Sequence, residues 1–236
     1  MQYLSSLSKS RFIPISFSLL QLLNNSTIKK ITKFRLAAFL EIYPGRPPAF
    51  SVLNELFSLG LDLLYLRTNS VQEIDWKYIL NNINPAYQER VIVPVQAKEI
   101  VPEYNLIWHW KEAERKTMPP QMKLPANVYS TSVHALPNIL NLLPAFRYVF
   151  YSPLFESISK PGYRPLHSPE EIKRTLLNLR QAKSKLPLIM GLGGITATNI
   201  KLVKELGLDG ATLMGALWQA ADPSQAFEKV KIALEI

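Results

Sequence analysis

The chain has 236 residues, of which 47% are hydrophobic, so it can bury a sizeable core and is not an intrinsically disordered protein. It contains no cysteine, which excludes a disulfide framework, a thiolate metal site and a cysteine nucleophile. The formal net charge is +9, but residues 1–40 carry six basic residues and no acid. The remainder has only a mild basic surplus without dense clusters, so it indicates a phosphorylated small-molecule partner rather than nucleic acid.

The first 34 residues differ from the rest in being rich in serine and leucine and free of acid. Their apolar run, 12–22, is interrupted by proline and serine, so it is too short and too polar for a membrane span or a signal peptide core. The composition also fits an organellar transit peptide. We expect residues 1–34 to be a weakly ordered N-terminal extension, and residues 35–236 to form one domain.

Eight short apolar runs after residue 35 have the length and composition of buried strands. These runs lie at 36–42, 63–67, 91–95, 106–110, 128–132, 148–151, 186–190 and 210–214. Helical patterns separate them at 50–59, 75–83, 135–143, 168–182, 198–206 and 223–234, with a short helical turn after the third strand. The helix from Ser168 is indicated by an N-cap serine, a proline at the first position and two acids in the first turn.

The polar segment 111–126 contains Met118-Pro119-Pro120 and is predicted to be a loop. Its mixed charge between Lys111 and Lys116 is typical of a solvated surface rather than a binding patch.

The alternation of continuous apolar strands with helices predicts an α/β fold, a parallel sheet covered by helices. Eight such units favour a closed (β/α)8 TIM barrel over an open doubly wound sheet, and no Gly-x-Gly-x-x-Gly follows the first strand. In such a barrel the functional residues lie where the strands end. The polar or glycine positions there are Arg67, Gln96, His109, Ser132, His134, Ser157, Ser159, Lys160, Gly193, Gly194 and Gly215.

The segment after the sixth strand combines two serines and a lysine between prolines. On an extended backbone Ser157 and Ser159 point the same way, and Lys160 follows at once. Two hydroxyl donors and an ammonium group suit a phosphate, although serine, proline and glycine are also typical of an ordinary loop.

Glycines after the seventh and eighth strands indicate a second part of the same phosphate site. Gly193-Gly194 lets backbone N–H groups approach an anion, and Gly215 opens a short helical segment. Loops after strands seven and eight commonly bind phosphate in these barrels.

Several motifs resemble the thiamine phosphate synthase / TenI family across residues 35–218. They are Phe155-x-Ser157-x-Ser159-Lys160, Gly193-Gly194-Ile195 with Asn199, Ser132-Val133-His134, and the segment 211–218. The resemblance implies a (β/α)8 barrel that couples hydroxymethylpyrimidine pyrophosphate to thiazole phosphate, releasing pyrophosphate, with magnesium as cofactor. It implies that Gly193, Gly194, Ile195, Gly215 and Ala216 hold the thiazole phosphate, with Ser132 and His109 as further substrate-binding residues. It places Ser157, Ser159, Lys160 and Arg67 at the reacting centre.

The chain departs from the family pattern in the half that would bind the pyrimidine pyrophosphate. The family's Gln-x-Arg-x-Lys appears as Tyr65-Leu66-Arg67-Thr68-Asn69, which keeps only the arginine. The family's Asn-Asp-Arg falls on Pro94-Val95-Gln96, and valine cannot bind a hard cation. The family's His-Leu-x-x-x-Asp appears as 109–114, where Glu114 could replace a magnesium-binding aspartate.

Three functions remain open at this stage. The first is a synthase with a rearranged magnesium site. The second is a TenI-like thiazole tautomerase acting through His134, because histidine titrates near neutrality. The third is a phosphate-binding protein without catalysis. We expect a cytoplasmic protein with phosphorylated small-molecule substrates and no nucleic-acid or membrane partner, and the oligomeric state, including a homo-oligomer, stays open.

Overall fold

The computed structural model describes residues 33–119, 123–125, 128–158, 160 and 162–235. The expected N-terminal extension therefore lies almost wholly outside the described residues, as does Ser159, and the division of the chain at residue 34 stays a prediction. No helix within the described ranges is long and apolar enough to cross a membrane.

Eight parallel strands close into a barrel in which each strand pairs with its neighbours in sequence. Strand β1 pairs with both β2 and β8, so that Ala37 lies opposite Leu63 on one side and Thr212 on the other. This closure confirms the predicted (β/α)8 fold. The strands are β1 (Arg35–Glu41), β2 (Leu63–Arg67), β3 (Val91–Pro94), β4 (Ile107–Trp110), β5 (Tyr129–Val133), β6 (Phe146–Tyr151), β7 (Leu188–Leu192) and β8 (Gly210–Leu213).

The helices cover the outside of the barrel and alternate with the strands. They are α1 (Phe50–Ser58), α2 (Trp76–Asn81), α3 (Glu112–Lys116), α4 (Pro169–Ala182), α5 (Ile200–Glu205), α6 (Gly215–Trp218) and α7 (Pro223–Glu235). Short 3-10 helices lie at Val71–Glu73, Pro85–Arg90, Val95–Glu99 and Leu136–Asn141.

Helix α4 begins where the sequence predicts. The Ser168 hydroxyl accepts a hydrogen bond from the Glu171 N–H (3.3 Å), and the Glu171 carboxylate accepts one from the Ser168 N–H (2.8 Å). These reciprocal bonds satisfy two of the N–H groups that a helix start leaves without partners. The apolar face of the helix then packs on the barrel through Ile172, Leu176 and Leu179.

Two segments differ from their predicted structure. The predicted loop 111–126 contains helix α3, because the Glu114 carboxylate accepts a hydrogen bond from the Lys111 N–H (3.0 Å) and so caps the helix start. The predicted helix 135–143 is instead the 3-10 helix Leu136–Asn141. It cannot extend far, because Leu143 precedes Pro144 and a residue before proline disfavours the helical conformation.

The interior of the barrel is filled by large aromatic and aliphatic side chains. The ring of Phe39 makes edge contacts with Tyr65 (4.8 Å between centroids) and with Phe150 (4.7 Å). Ile92, Met190 and other inward-facing residues pack with this aromatic group, while the alternate residues of each strand face the helices. The packed interior forms a floor, and the polar residues of the strand ends lie above it.

Candidate active site

A cavity of about 710 Å³ opens at the carboxyl ends of the strands, a volume within the range of small-molecule sites. Its lining includes most of the residues predicted from the sequence: Arg67, His109, Ser132, His134, Ser157, Lys160, Gly193, Gly194, Ile195 and Gly215. Ala216 and Glu114 are not among the described lining residues. The fold thus brings together residues that lie far apart in the sequence, from Arg67 to Gly215.

The loops that follow β6 and β7 are joined through their backbones. Leu154 donates its N–H to the carbonyl of Leu192 (2.8 Å), and Phe155 donates to the carbonyl of Gly193 (3.1 Å). The approach is so close that a Cβ built on Gly194 would lie 2.2 Å from the Glu156 carbonyl oxygen. The loop that carries Lys160 and the loop that carries the two glycines therefore share one side of the cavity.

Gly193 and Gly194 form a turn that only glycine adopts readily, with φ angles of +104° and +63°. Asn199 holds this turn, because its side-chain amide donates to the Gly194 carbonyl (2.8 Å) and accepts from the Thr196 N–H (2.9 Å). After the neighbouring strand β8, Gly215 is the first residue of α6, and backbone N–H groups at a helix start have no partner within the helix. Phosphate binding by these glycines stays a prediction.

The loop with Lys160 closes on itself at the rim of the cavity. Ser157 donates its N–H to the Tyr163 carbonyl (2.9 Å), and Tyr163 donates its N–H to the Lys160 carbonyl (3.1 Å). The Lys160 N–H also donates to the Ser157 hydroxyl (3.2 Å). This turn holds the exposed Lys160 side chain at the cavity, while the predicted alignment of Ser157 with Ser159 involves a residue outside the described ranges.

His109 is buried at the cavity floor and is held at both ring nitrogens. Nδ1 lies 2.9 Å from the Ser130 hydroxyl and Nε2 lies 3.2 Å from the Ser132 hydroxyl. Burial, together with the positive charges of Lys111 and Arg67, lowers the pKa of His109 to about 3. The imidazole is therefore neutral near pH 7, and its two nitrogens are engaged by serine hydroxyls.

Two buried hydroxyls of the cavity lining have no hydrogen-bond partner among the described residues. They belong to Tyr65 and Thr212, whose exposed fractions are 2% and 1%. Burial raises the pKa of Tyr65 above its ordinary value, so this phenol stays protonated.

His134 lies at the cavity rim in an arrangement suited to proton transfer. Its Nδ1 lies 2.8 Å from the Ser152 carbonyl, and because a carbonyl can only accept, Nδ1 carries the proton. Its Nε2 lies 4.0 Å from the Glu112 carboxylate, which also accepts a hydrogen bond from the His134 backbone N–H (3.2 Å). Partial burial acts to raise the pKa of Glu112, but Lys116 and His134 outweigh it and the net pKa is lowered. An ionised carboxylate thus lies beside the Nε2 atom of the imidazole.

Sequence reasoning missed that Lys111 and two residues of α3 reach the cavity. Lys111, Glu112 and Lys116 line it, although this segment was expected to be a solvated loop. The Lys111 ammonium group donates to the Asn69 side chain (3.0 Å), and Lys116 pairs with Glu112 (3.1 Å). The position of Lys111, directly after the fourth strand, was the available signal.

The residues present do not fit the magnesium ion that the resemblance implies. Glu114 uses its carboxylate to cap α3, and Glu112, the one described carboxylate in the lining, already pairs with Lys116. Across the described ranges, no three histidine, aspartate or glutamate side chains come together as metal ligands. A hard divalent cation prefers several oxygen ligands, so the metal role of Glu114 stays a prediction without geometric support.

Comparison with known proteins identifies similar chains and folds. The chain is 33% identical over 79 residues to a thiamine-phosphate synthase of Geobacillus kaustophilus, which is 34% of either chain. It is 39% identical over 75 residues to the synthase of Syntrophomonas wolfei, covering 32% of this chain and 33% of that one. The matched stretch thus spans about a third of these curated relatives, and no family model matches.

The fold extends this similarity over most of the chain. The thiamine phosphate pyrophosphorylase of Bacteroides thetaiotaomicron superposes with a TM-score of 0.62 and 23% identity, covering 86% of this chain and 98% of that one. At this identity the superposition shows the fold. The chain is therefore similar to thiamine phosphate synthases in about a third of its sequence and in its barrel fold, which confirms the resemblance inferred from its motifs.

Proposed function

We propose that the chain is a thiamine phosphate synthase-like transferase, which joins hydroxymethylpyrimidine pyrophosphate to thiazole phosphate and releases pyrophosphate. One observation carries the proposal: the loop with Gly193-Gly194 and the loop with Lys160 are hydrogen-bonded to each other and line one cavity. The N–H groups of the glycine loop could then bind the phosphate of one substrate, while the Lys160 ammonium group stabilises the pyrophosphate that leaves the other.

The thiazole phosphate would bind at the glycine loops. The N–H groups of Gly193, Gly194 and Gly215 are the donors, and the absence of side chains at these positions lets an anion approach the backbone. Ile195 is buried beside them and supplies apolar contact at the cavity wall. This placement leaves Lys160, on the adjoining loop, for the second substrate.

The reaction would break the bond between the pyrimidine methylene carbon and the pyrophosphate oxygen, which leaves with the electron pair. The thiazole nitrogen then donates its lone pair to that carbon, and no general base is required. The difficult step is the separation of a pyrimidine cation from a highly charged anion. Lys160 and Ser157 would stabilise the leaving anion, and the cavity would keep the thiazole nitrogen near the carbon.

A second candidate function, a thiazole tautomerase, is favoured by the environment of His134. The Ser152 carbonyl fixes its tautomer, so Nε2 carries a lone pair and can accept a proton at the cavity rim. Glu112, 4.0 Å away, would stabilise the imidazolium that forms. This reaction needs the thiazole-phosphate loops and one proton shuttle, and no pyrophosphate site.

The deciding experiment is an assay of thiamine phosphate formation from the two synthase substrates, with the wild-type chain and with Lys160→Ala. We expect the turnover of Lys160→Ala to fall at least a hundredfold, because removing one pre-organised donor that stabilises developing negative charge typically costs that much. Its melting temperature should be unchanged, because the Lys160 side chain is exposed and packs little. The control is Lys229→Ala, an exposed lysine on α7 outside the cavity.

Turnover of Lys160→Ala equal to that of the wild type would contradict the synthase assignment. Isomerisation of the thiazole without thiamine phosphate formation would support the tautomerase. Binding of thiazole phosphate without either reaction would indicate a phosphate-binding protein.

A further inference from the structure

The cavity mouth carries more cations than the proposed chemistry of the Lys160 loop uses. Arg67 at the end of β2, with Lys111 and Lys116 of the segment after β4, lines the side of the cavity formed by those strand ends. We call these three residues the cationic cluster. Glu112 is the one described carboxylate of the lining, so this side of the mouth is predominantly positive.

The centre of the cluster is a contact between two strand ends. The Lys111 ammonium group donates to the Asn69 side chain at 3.0 Å, which places a cation beside position 69, two residues after Arg67. The family pattern has a lysine in the sequence at that position, and this chain has Asn69. Lys111 therefore supplies in space a positive charge that the second strand lacks in sequence.

The charges of the cluster differ in how far they are neutralised. Arg67 lies 3.6 Å from Glu41, and Lys116 lies 3.1 Å from Glu112. Within the described ranges, no carboxylate forms an ion pair with the Lys111 ammonium group, which donates to the neutral Asn69 amide, while the Glu114 carboxylate accepts from the Lys111 backbone N–H. An uncompensated ammonium group at a cavity rim attracts an anionic group of a ligand.

Two members of the cluster also act on the floor of the cavity. After burial, the charges of Lys111 and Arg67 contribute to the lowered pKa of His109, whereas Glu114 and Glu41 oppose Arg67 in their effect on the pKa of Tyr65. A divalent cation placed in the same mouth would be repelled by these charges and would find few carboxylate ligands there. This side of the cavity mouth therefore favours binding of an anion that is not complexed with a divalent cation.

We propose that the cationic cluster binds the phosphate oxygens of a second anionic group directly, in place of a divalent cation. The inference rests on the proposed function for the identity of that group, a pyrophosphate, since pyrophosphate is the leaving group of the proposed reaction. Within the cluster Lys111 is the principal contact, and Arg67 and Lys116 add positive charge; Lys160 of the opposite loop remains available to the same anion.

The test is a calorimetric titration of the full chain with inorganic pyrophosphate in EDTA, so that no divalent cation is available. We expect measurable binding that weakens about tenfold or more in Lys111→Gln, because a charge-assisted hydrogen bond is lost. Lys111→Arg should retain binding, and Lys229→Gln, which removes the same charge from the outer surface, should bind as the wild type does. Melting temperatures of all variants verify that each is folded.

Three results of the titration would overturn the proposal that the cationic cluster binds pyrophosphate. Binding that appears only after magnesium is added assigns the anion to a metal site. Failure of the wild type to bind, or equal binding by Lys111→Gln and the wild type, removes the cluster as a site. The two proposals can fail separately: metal-free, Lys111-dependent binding without thiamine phosphate formation removes the synthase function alone, whereas turnover with strictly magnesium-dependent binding removes this inference alone.

Discussion

The backbone N–H of Leu154 donates a hydrogen bond of 2.8 Å to the carbonyl oxygen of Leu192, and this bond joins the loops that follow strands β6 and β7. The two loops are separated by helix α4 in the sequence and meet because their strands are neighbours in the barrel. Backbone hydrogen bonds therefore join the loop of Lys160 to the loop of the glycine turn, and the side chains of Ser157 and Asn199 hold the turn within each loop. The following predictions test this arrangement and the groups around it.

Gly194→Ala should destabilise the protein more than Gly45→Ala, although both glycines have nearly the same positive φ, +63° and +66°. A Cβ at position 45 meets open space, so its cost is about 1–2 kcal/mol for the left-handed conformation alone. A Cβ at position 194 would lie 2.2 Å from the Glu156 carbonyl oxygen, which adds about 1–3 kcal/mol of overpacking. Urea unfolding measures both values, and equal losses in the two variants would show that the loops can separate.

Thr212→Val and Thr131→Val should have opposite consequences for stability, although both threonines are buried strand residues. The Thr131 hydroxyl donates to the Trp110 carbonyl (2.8 Å) and accepts from Arg115 Nε (3.0 Å), so its loss should cost about 1–3 kcal/mol. The Thr212 hydroxyl has no partner among the described residues, so valine should be neutral or stabilising. Thermal unfolding of the apo protein checks both; a large loss in Thr212→Val would mean that this hydroxyl has a partner.

The free energy of unfolding should fall as the pH is lowered below about 6.5, in part through His109. Unfolded His109 binds a proton near its ordinary pKa of 6.5, whereas the folded residue binds one only near its lowered pKa of about 3. The unfolded state therefore gains protons first, and stability is lost with a slope approaching about 1.4 kcal/mol per pH unit between these values.

His109→Gln removes this titration and should flatten the dependence between pH 7 and pH 5, measured by urea unfolding at each pH. If the pH dependence of the unfolding free energy were unchanged in His109→Gln, the folded His109 would bind a proton as readily as the unfolded residue, contrary to the lowered pKa.

His134→Asn separates the two candidate reactions. The asparagine amide can still donate to the Ser152 carbonyl as Nδ1 does, but it cannot accept and return a proton. If the chain is a tautomerase, thiazole isomerisation should fall by about 10²- to 10⁴-fold. If it is a synthase, thiamine phosphate formation should change by only a few-fold, since that reaction needs no general base. A hundredfold loss of thiamine phosphate formation would contradict the mechanism proposed for the synthase.

The fold could be predicted from the sequence because its signals are local. Continuous apolar runs of four to seven residues identify the buried strands, and the structure reproduces all eight with ends shifted by at most two residues. The start of α4 was predicted for the same reason, since its serine, proline and acids are adjacent. Short helix α3 was missed because its capping bond depends on one glutamate, and the segment 111–126 contains three prolines farther on.

By itself, the sequence determined the eight strands, the barrel and the positions of the glycine and Lys160 loops, since each depends on the order of neighbouring residues. Only the tertiary structure decided which charged groups share the cavity. In the structure, the Glu114 carboxylate caps its own helix and the Glu112 carboxylate lies near His134. The Lys111 ammonium group contacts Asn69, 42 positions away in the sequence. The contacts of Glu112 with His134 and of Lys111 with Asn69 join different strand ends, and closure of the barrel, rather than any local pattern, sets these distances.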